Sequence, residues 1–259
     1  MSSPALFTPI PSPQAAWRTL IDAAQAPYKV SGRFAWYWAR GKLGRDPVFR
    51  GMLERGDLPA RARVVDIGCG QGLMASLLHA CEEAQRAGRW PAAWAAAPSA
   101  RSYSGIELTP REVGRGERAL AVLPFAPRLV CADMRDAALP ACDLIVILDV
   151  LHYVDIAAQD ALLLRIRDAL QAGAAGSHTH QPPRLLLRVG DAANRRAFAI
   201  SQWIDRVVTT VRGYGAAPTW GRTLGDWTAQ LQSLGFEVHS VPMSRGTPFA
   251  NVLLVADLK

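Results

Sequence analysis

From Arg63 onward, apolar segments of strand length alternate with stretches of helical length. RVVDIGC, SYSGIEL, RLVCADM, DLIVILDVL and RLLLRVG are β-rich apolar segments, and helical patterns over 72–87, 111–123 and 156–172 separate most of them. Strands apolar on both faces and joined by helices belong in a parallel sheet covered on both sides. The last two strands, FEVHSV and ANVLLVADL, follow a helix over 224–234 and have only PMSRGTPF between them. That link is too short for a crossover helix, so they pair antiparallel. The fold class expected is α/β, with a seven-stranded, mostly parallel sheet and a final antiparallel strand.

The 259 residues, half of them hydrophobic, suit one core with decorations. Residues 1–13 carry four prolines and no periodicity, which predicts a flexible tail. Residues 14–60 form a helical cover, with helices over 17–25 and 34–43, and with Asp46-Pro47 as cap and first turn of a third through Leu53. The main domain spans 61–259 and holds a helical lid insertion over 193–220. Two further insertions are visible, 89–100 and 173–183. The second carries His178 and His180, but a Gly/Ser-rich loop supplies no rigid surroundings for a metal, so no metal site is expected.

Lys and Arg number 29 against 22 Asp and Glu, and the excess is nearly all Arg. Between Tyr28 and Arg63 nine basic residues face three acidic ones, which predicts a basic N-terminal face. Cys69, Cys81, Cys131 and Cys142 form no CxxC pair and read as small buried hydrophobes in a reducing compartment. The N-terminal residues lack a basic leader and a continuous apolar core, and no apolar run reaches the ~18 residues of a membrane span. A cytoplasmic protein without a membrane span is expected.

The chemistry concentrates at RVVDIGCGQGL, a strand followed by Gly68, Gly70 and Gly72 and then a helix. Such a turn lets the backbone take positive φ and approach a ligand, while the helix start offers free N–H groups. The dinucleotide fingerprint GxGxxG does not fit, because Leu73 stands where its third glycine belongs. Asp66 would also repel a pyrophosphate, so a ligand with cationic character suits the site better.

This stretch resembles the first motif of the class I S-adenosylmethionine-dependent methyltransferases, an acid followed by GxGxG. Asp66, Gly68, Gly70 and Gly72 match it in full, with Cys69 packing beneath the ligand. Three further motifs follow in the family's order. Glu107 closes SGIEL, where the family's acid holds both ribose hydroxyls. Asp133 and Met134 close CADM, where the acid reads the adenine amino group and apolar side chains, here Leu108 and Met134, sandwich the ring. DLIVILDVLHYV, with Leu148, matches the motif lining the methionine moiety and the methyl group. The resemblance covers about 63–259 and implies a Rossmann-like sheet, S-adenosyl-L-methionine as cofactor, and methyl transfer to an acceptor. One departure stands out: Glu107 lies 35 residues after Gly72, and the 89–100 insertion accounts for most of that distance.

Methyl transfer from a sulfonium is a direct displacement that mainly needs alignment. Asp149 and His152 follow the fourth strand and are the catalytic candidates, His152 either as a base for a phenol or carboxylate acceptor or as a packing residue. No Asn/Asp-Pro-Pro-Tyr or Pro-Cys pair stands there, which disfavours DNA and points to a small acceptor. Tyr37, Arg40 and Lys42 of the cover, Tyr153, and Trp203 of the lid are the acceptor-binding candidates. The competing reading of the cover is a helix with an aromatic core side and a solvated basic side. A weaker resemblance to methyltransferases encoded beside aryl polyene and fatty-acid-like synthesis genes implies an aromatic acceptor, free or borne by an acidic acyl carrier protein. Two alternatives remain open: a non-catalytic cofactor-binding accessory protein, and an RNA methyltransferase.

Overall fold

The computed structural model describes residues 12–190, 219–243 and 251–259. Residues 1–11 of the expected tail lie outside the described residues, as does the expected lid with Trp203, apart from Thr219 and Trp220.

Helix α1 (Pro13–Gln25) opens on Pro13, with the Ser12 hydroxyl accepting the Ala15 N–H at 3.3 Å. A 3-10 segment (Ala26–Ser31) then leads into α2 (Arg33–Arg45). Asp46 caps α3 (Pro47–Arg55) by accepting the Val48 N–H at 3.1 Å, and Gly56 closes that helix in the left-handed conformation. The alternating part follows as β1 (Ala62–Ile67), α4 (Leu73–Arg86), β2 (Ala100–Glu107), α5 (Pro110–Leu120), β3 (Arg128–Cys131) and β4 (Leu144–Leu148). It continues through α6 (Ile156–Ala174), β5 (Arg184–Gly190), α7 (Leu224–Ser233), β6 (Phe236–Pro242) and β7 (Asn251–Leu258).

The seven strands lie in the order β3-β2-β1-β4-β5-β7-β6. β1 pairs in parallel with both β2 and β4, and β7 enters antiparallel between β5 and β6. The chain reverses its winding between β1 and β4, and the carboxyl ends of strands beside such a reversal are where α/β sheets hold ligands. Alternation along the strands divides the core. Val64, Tyr103 and Val146 face α1–α5, whereas Val65, Ile67, Ile145 and Ile147 face α6 and α7. The N-terminal helices therefore extend one layer of the sandwich, and Asp66, in phase with Val64, points toward them.

The 89–100 insertion packs onto that layer: Trp94 meets Trp17 edge-on at 6.5 Å and Trp90 at 5.3 Å, and Ala100 already belongs to β2. Cys69, Cys81 and Cys142 are buried as expected, but Cys131 is exposed, because it ends β3, a four-residue strand at the sheet edge. No helix among the described residues is long and apolar enough to cross a membrane.

Candidate active site

The glycine turn sits at the carboxyl end of β1, and its three glycines have different tasks. Gly68, Gly70 and Gly72 all have positive φ, at 73°, 56° and 72°. A Cβ on Gly68 would lie 2.6 Å from the Val150 methyls, and one on Gly72 would lie 2.6 Å from Leu120 Cδ1. These two let the β4 loop and α5 close onto the turn. A Cβ on Gly70 would meet nothing within 4 Å. The backbone there borders open space, as a ligand's approach requires.

Glu107, at the end of β2, faces the same spot. Its Oε2 accepts the Gly70 N–H at 3.0 Å and its Oε1 accepts the Thr109 N–H at 2.9 Å. Both oxygens are thereby oriented and retain acceptor capacity for two hydroxyls. Beside it Leu108 is 57% exposed. Met134 and Leu148 are half-buried against the two core faces. Asp133 is engaged locally: its Oδ1 accepts the Arg135 N–H at 2.8 Å and the Arg135 guanidinium binds both carboxylate oxygens, which holds the carboxyl below its ordinary pKa. It caps a turn at the position where the sequence places an adenine-reading acid.

Asp66 is buried beneath the turn, and Tyr103 donates its hydroxyl to Oδ2 at 2.6 Å. Desolvation first, and the nearby Glu107 charge second, push its pKa up to about 7 despite that hydrogen bond. Cys69, also buried, has its thiol pKa raised by burial, so it is not a nucleophile. Tyr28 reaches the turn from the cover and donates to the Gln71 carbonyl at 2.9 Å, and Gln71 Nε2 donates to Glu112 at 2.7 Å.

The β4 end departs from the simplest expectation. Asp149 adopts φ 61°, tolerable for Asp, and is held by Arg188 of β5, whose Nε donates to Oδ1 at 2.8 Å. Arg188, only 3% exposed, also grips Asp46 with contacts of 2.5 and 2.7 Å, and Lys42 Nζ lies 2.8 Å from Asp46 and 3.9 Å from Asp149. The cover is thus tied to the loop after β4 by two cations and two carboxylates. Asp149 is an ion-pair partner of a buried guanidinium, which lowers its suitability as a base. His152 and Tyr153 follow in a 3-10 turn with rings 4.2 Å apart. Buried Gln159 clamps that turn by donating to the Val154 and Trp220 carbonyls at 3.0 and 3.1 Å, and the His152 carbonyl accepts the Trp220 N–H at 2.9 Å.

Of the cover residues expected around an acceptor, only Lys42 turns toward the β4 loop. Arg40 pairs with Asp22 of α1 at 2.5 Å, and Tyr37 lines a groove with it on the other side of α2. Two residues along a helix turn a side chain by about 200°, so Arg40 and Lys42 cannot share a site. Sequence reasoning missed Arg188, Tyr103 and Gln71. An Arg inside the apolar strand RLLLRVG was the one available signal, since a buried Arg needs a carboxylate.

No protein-family model matches the chain. No curated protein matches it. Solved structures do. An O-methyltransferase family protein from Burkholderia thailandensis superposes with TM-score 0.57 at 13% identity, covering 95% of this chain and 69% of that one. The N-methyltransferase NodS from Bradyrhizobium japonicum, solved with S-adenosyl-L-homocysteine, gives 0.53 at 13% identity over 94% and 99%. Magnesium protoporphyrin IX methyltransferase from Synechocystis, with bound SAH, gives 0.50 at 16% identity over 100% and 90%. This chain has the class I methyltransferase fold.

Proposed function

We propose that the protein is an S-adenosylmethionine-dependent methyltransferase acting on a small acceptor that carries an aromatic ring or a carboxylate. The observation that carries this reading is the open space over Gly70, bordered by the Glu107 carboxylate at the reversal point of a methyltransferase fold. Glu107 would bind the ribose hydroxyls, and Leu108 and Met134 would cover the adenine. The turn of Gly68–Gly72 and Leu148 would border the methionine end. Asp133 can serve the adenine only in competition with Arg135. The cofactor supplies an electrophilic methyl group; the chain supplies alignment, and its own groups handle the acceptor's proton.

For that proton His152 is the better placed of the two catalytic candidates, because Asp149 is committed to Arg188. Lys42 and Tyr153 border the acceptor side. The cover's basic surface, including the exposed Lys29, Arg33 and Arg45, would attract an acidic acyl carrier protein if the acceptor is carrier-borne. The four free thiols suit a reducing compartment, and we place the protein in the cytoplasm. Calorimetric titration tests the reading. S-adenosylmethionine and S-adenosylhomocysteine should both bind and raise the melting temperature, whereas NAD should do neither. No heat from either adenosyl ligand at millimolar concentration refutes it.

A further inference from the structure

Between α1 and α2, on the side of α2 turned away from Lys42, lies a groove of about 480 Å³. None of the glycine turn, Glu107, Asp149 or His152 lines it. Its volume falls in the range of small-molecule sites. Gly41 and Gly44 line it, Gly44 in the last turn of α2 and Gly41 one turn earlier in the helix interior, where glycine is the least favourable residue short of proline. A Cβ on Gly41 would meet nothing within 4 Å, so packing does not require glycine there.

The charge of the groove is specific. Arg18, Arg40 and Arg45 line it against a single carboxylate, Asp22. That carboxylate is taken, by Arg40 at 2.5 Å and by Gln25 Nε2 at 2.9 Å. Arg18 and Arg45 have no carboxylate partner among the described residues, although ion pairing is common elsewhere on this cover, as in Arg50–Glu54 and Arg55–Asp57. Tyr37 and Ile21 add an apolar wall. Three guanidiniums against one acid leave two positive charges, the complement of a phosphate monoester, and guanidinium forks match phosphate oxygens in pairs.

We propose that the groove between α1 and α2 binds a phosphate ester, with its phosphate held by Arg18, Arg40 and Arg45 and its organic part against Tyr37. This site goes beyond the methyl-transfer reading and does not depend on it. A second copy of the chain is a poor occupant, since the basic faces would repel.

Calorimetric titration with phenyl phosphate, at ionic strength matched with chloride, tests the site. Wild-type protein should bind, and the exposed double variant Arg18→Gln/Arg45→Gln should lose at least tenfold in affinity. Gly41→Leu should abolish binding by filling the groove while the melting temperature holds or rises, because leucine favours helix. Vesicles of phosphatidylcholine with and without phosphatidic acid, a monoester lipid, distinguish the source. Sedimentation with phosphatidic acid that needs Arg18 and Arg45 assigns the phosphate to a lipid, and phenyl phosphate binding without sedimentation assigns it to a soluble ester. Either result supports the groove. No phenyl phosphate binding above the chloride control, or undiminished binding in Gly41→Leu, overturns it. Adenosyl titration of the same samples reports separately on the proposed function.

Discussion

Replacing Asp66 by Asn should make the protein more stable at pH 8 and less able to hold its cofactor. Burial raises this carboxyl from 3.8 to about 7 in the folded protein. Between those values the folded state keeps a proton that the unfolded state has released, so stability falls as pH rises from about 4 to 7 and stays low above. At about 1.4 kcal/mol per pH unit, the carboxylate costs about 4 kcal/mol at pH 8 and under half of that at pH 5. Asn keeps the shape and can still accept the Tyr103 hydroxyl, and it has no charge to desolvate. Urea unfolding of both proteins at pH 5 and pH 8 should show a stabilisation by Asn that grows with pH. A gap that is flat or shrinks with pH would mean that Asp66 titrates normally and that its burial is wrongly understood. The same variant should bind S-adenosylmethionine more weakly at pH 8, since the negative charge beneath the turn is gone.

Glu107→Ala should weaken adenosyl binding by about 1.5 to 3 kcal/mol, the range for hydrogen bonds to a charged group, with folding retained; calorimetry and circular dichroism check both. Gly70→Val should abolish cofactor binding, because the side chain enters the open space at a left-handed φ, whereas Gly68→Val should chiefly lower the melting temperature by striking Val150. Arg188→Met should cost up to about 3 kcal/mol in urea unfolding by leaving the largely buried Asp46 with Lys42 as its cation and the part-exposed Asp149 without its guanidinium, and adding Asp46→Asn should restore part of it.

The sheet was legible because its signal is local: each expected strand matches an apolar run, and in the central strands neighbouring residues serve opposite faces, as Val64 and Val65 do. The antiparallel end followed from the length of one link. The positions of the glycine turn and of Glu107 were legible for the same reason, since Gly68, Gly70 and Gly72 follow the end of β1 and Glu107 ends β2, and a strand end fixes where a residue stands relative to the sheet. The proposed acceptor side depends on helical phase and on contacts between distant segments. Arg40 and Lys42 look equivalent in sequence, yet α2 turns one toward Asp22 and the other toward Asp149. The residue that organises this side, Arg188, lies 142 positions from Asp46. Only the fold brings them together, and that pairing changes the meaning of Asp149. The sequence shows Asp149 as a carboxylate after the fourth strand; the structure gives it a buried guanidinium partner, and under the proposed function that leaves the acceptor's proton to His152, which the 3-10 turn holds on the same loop.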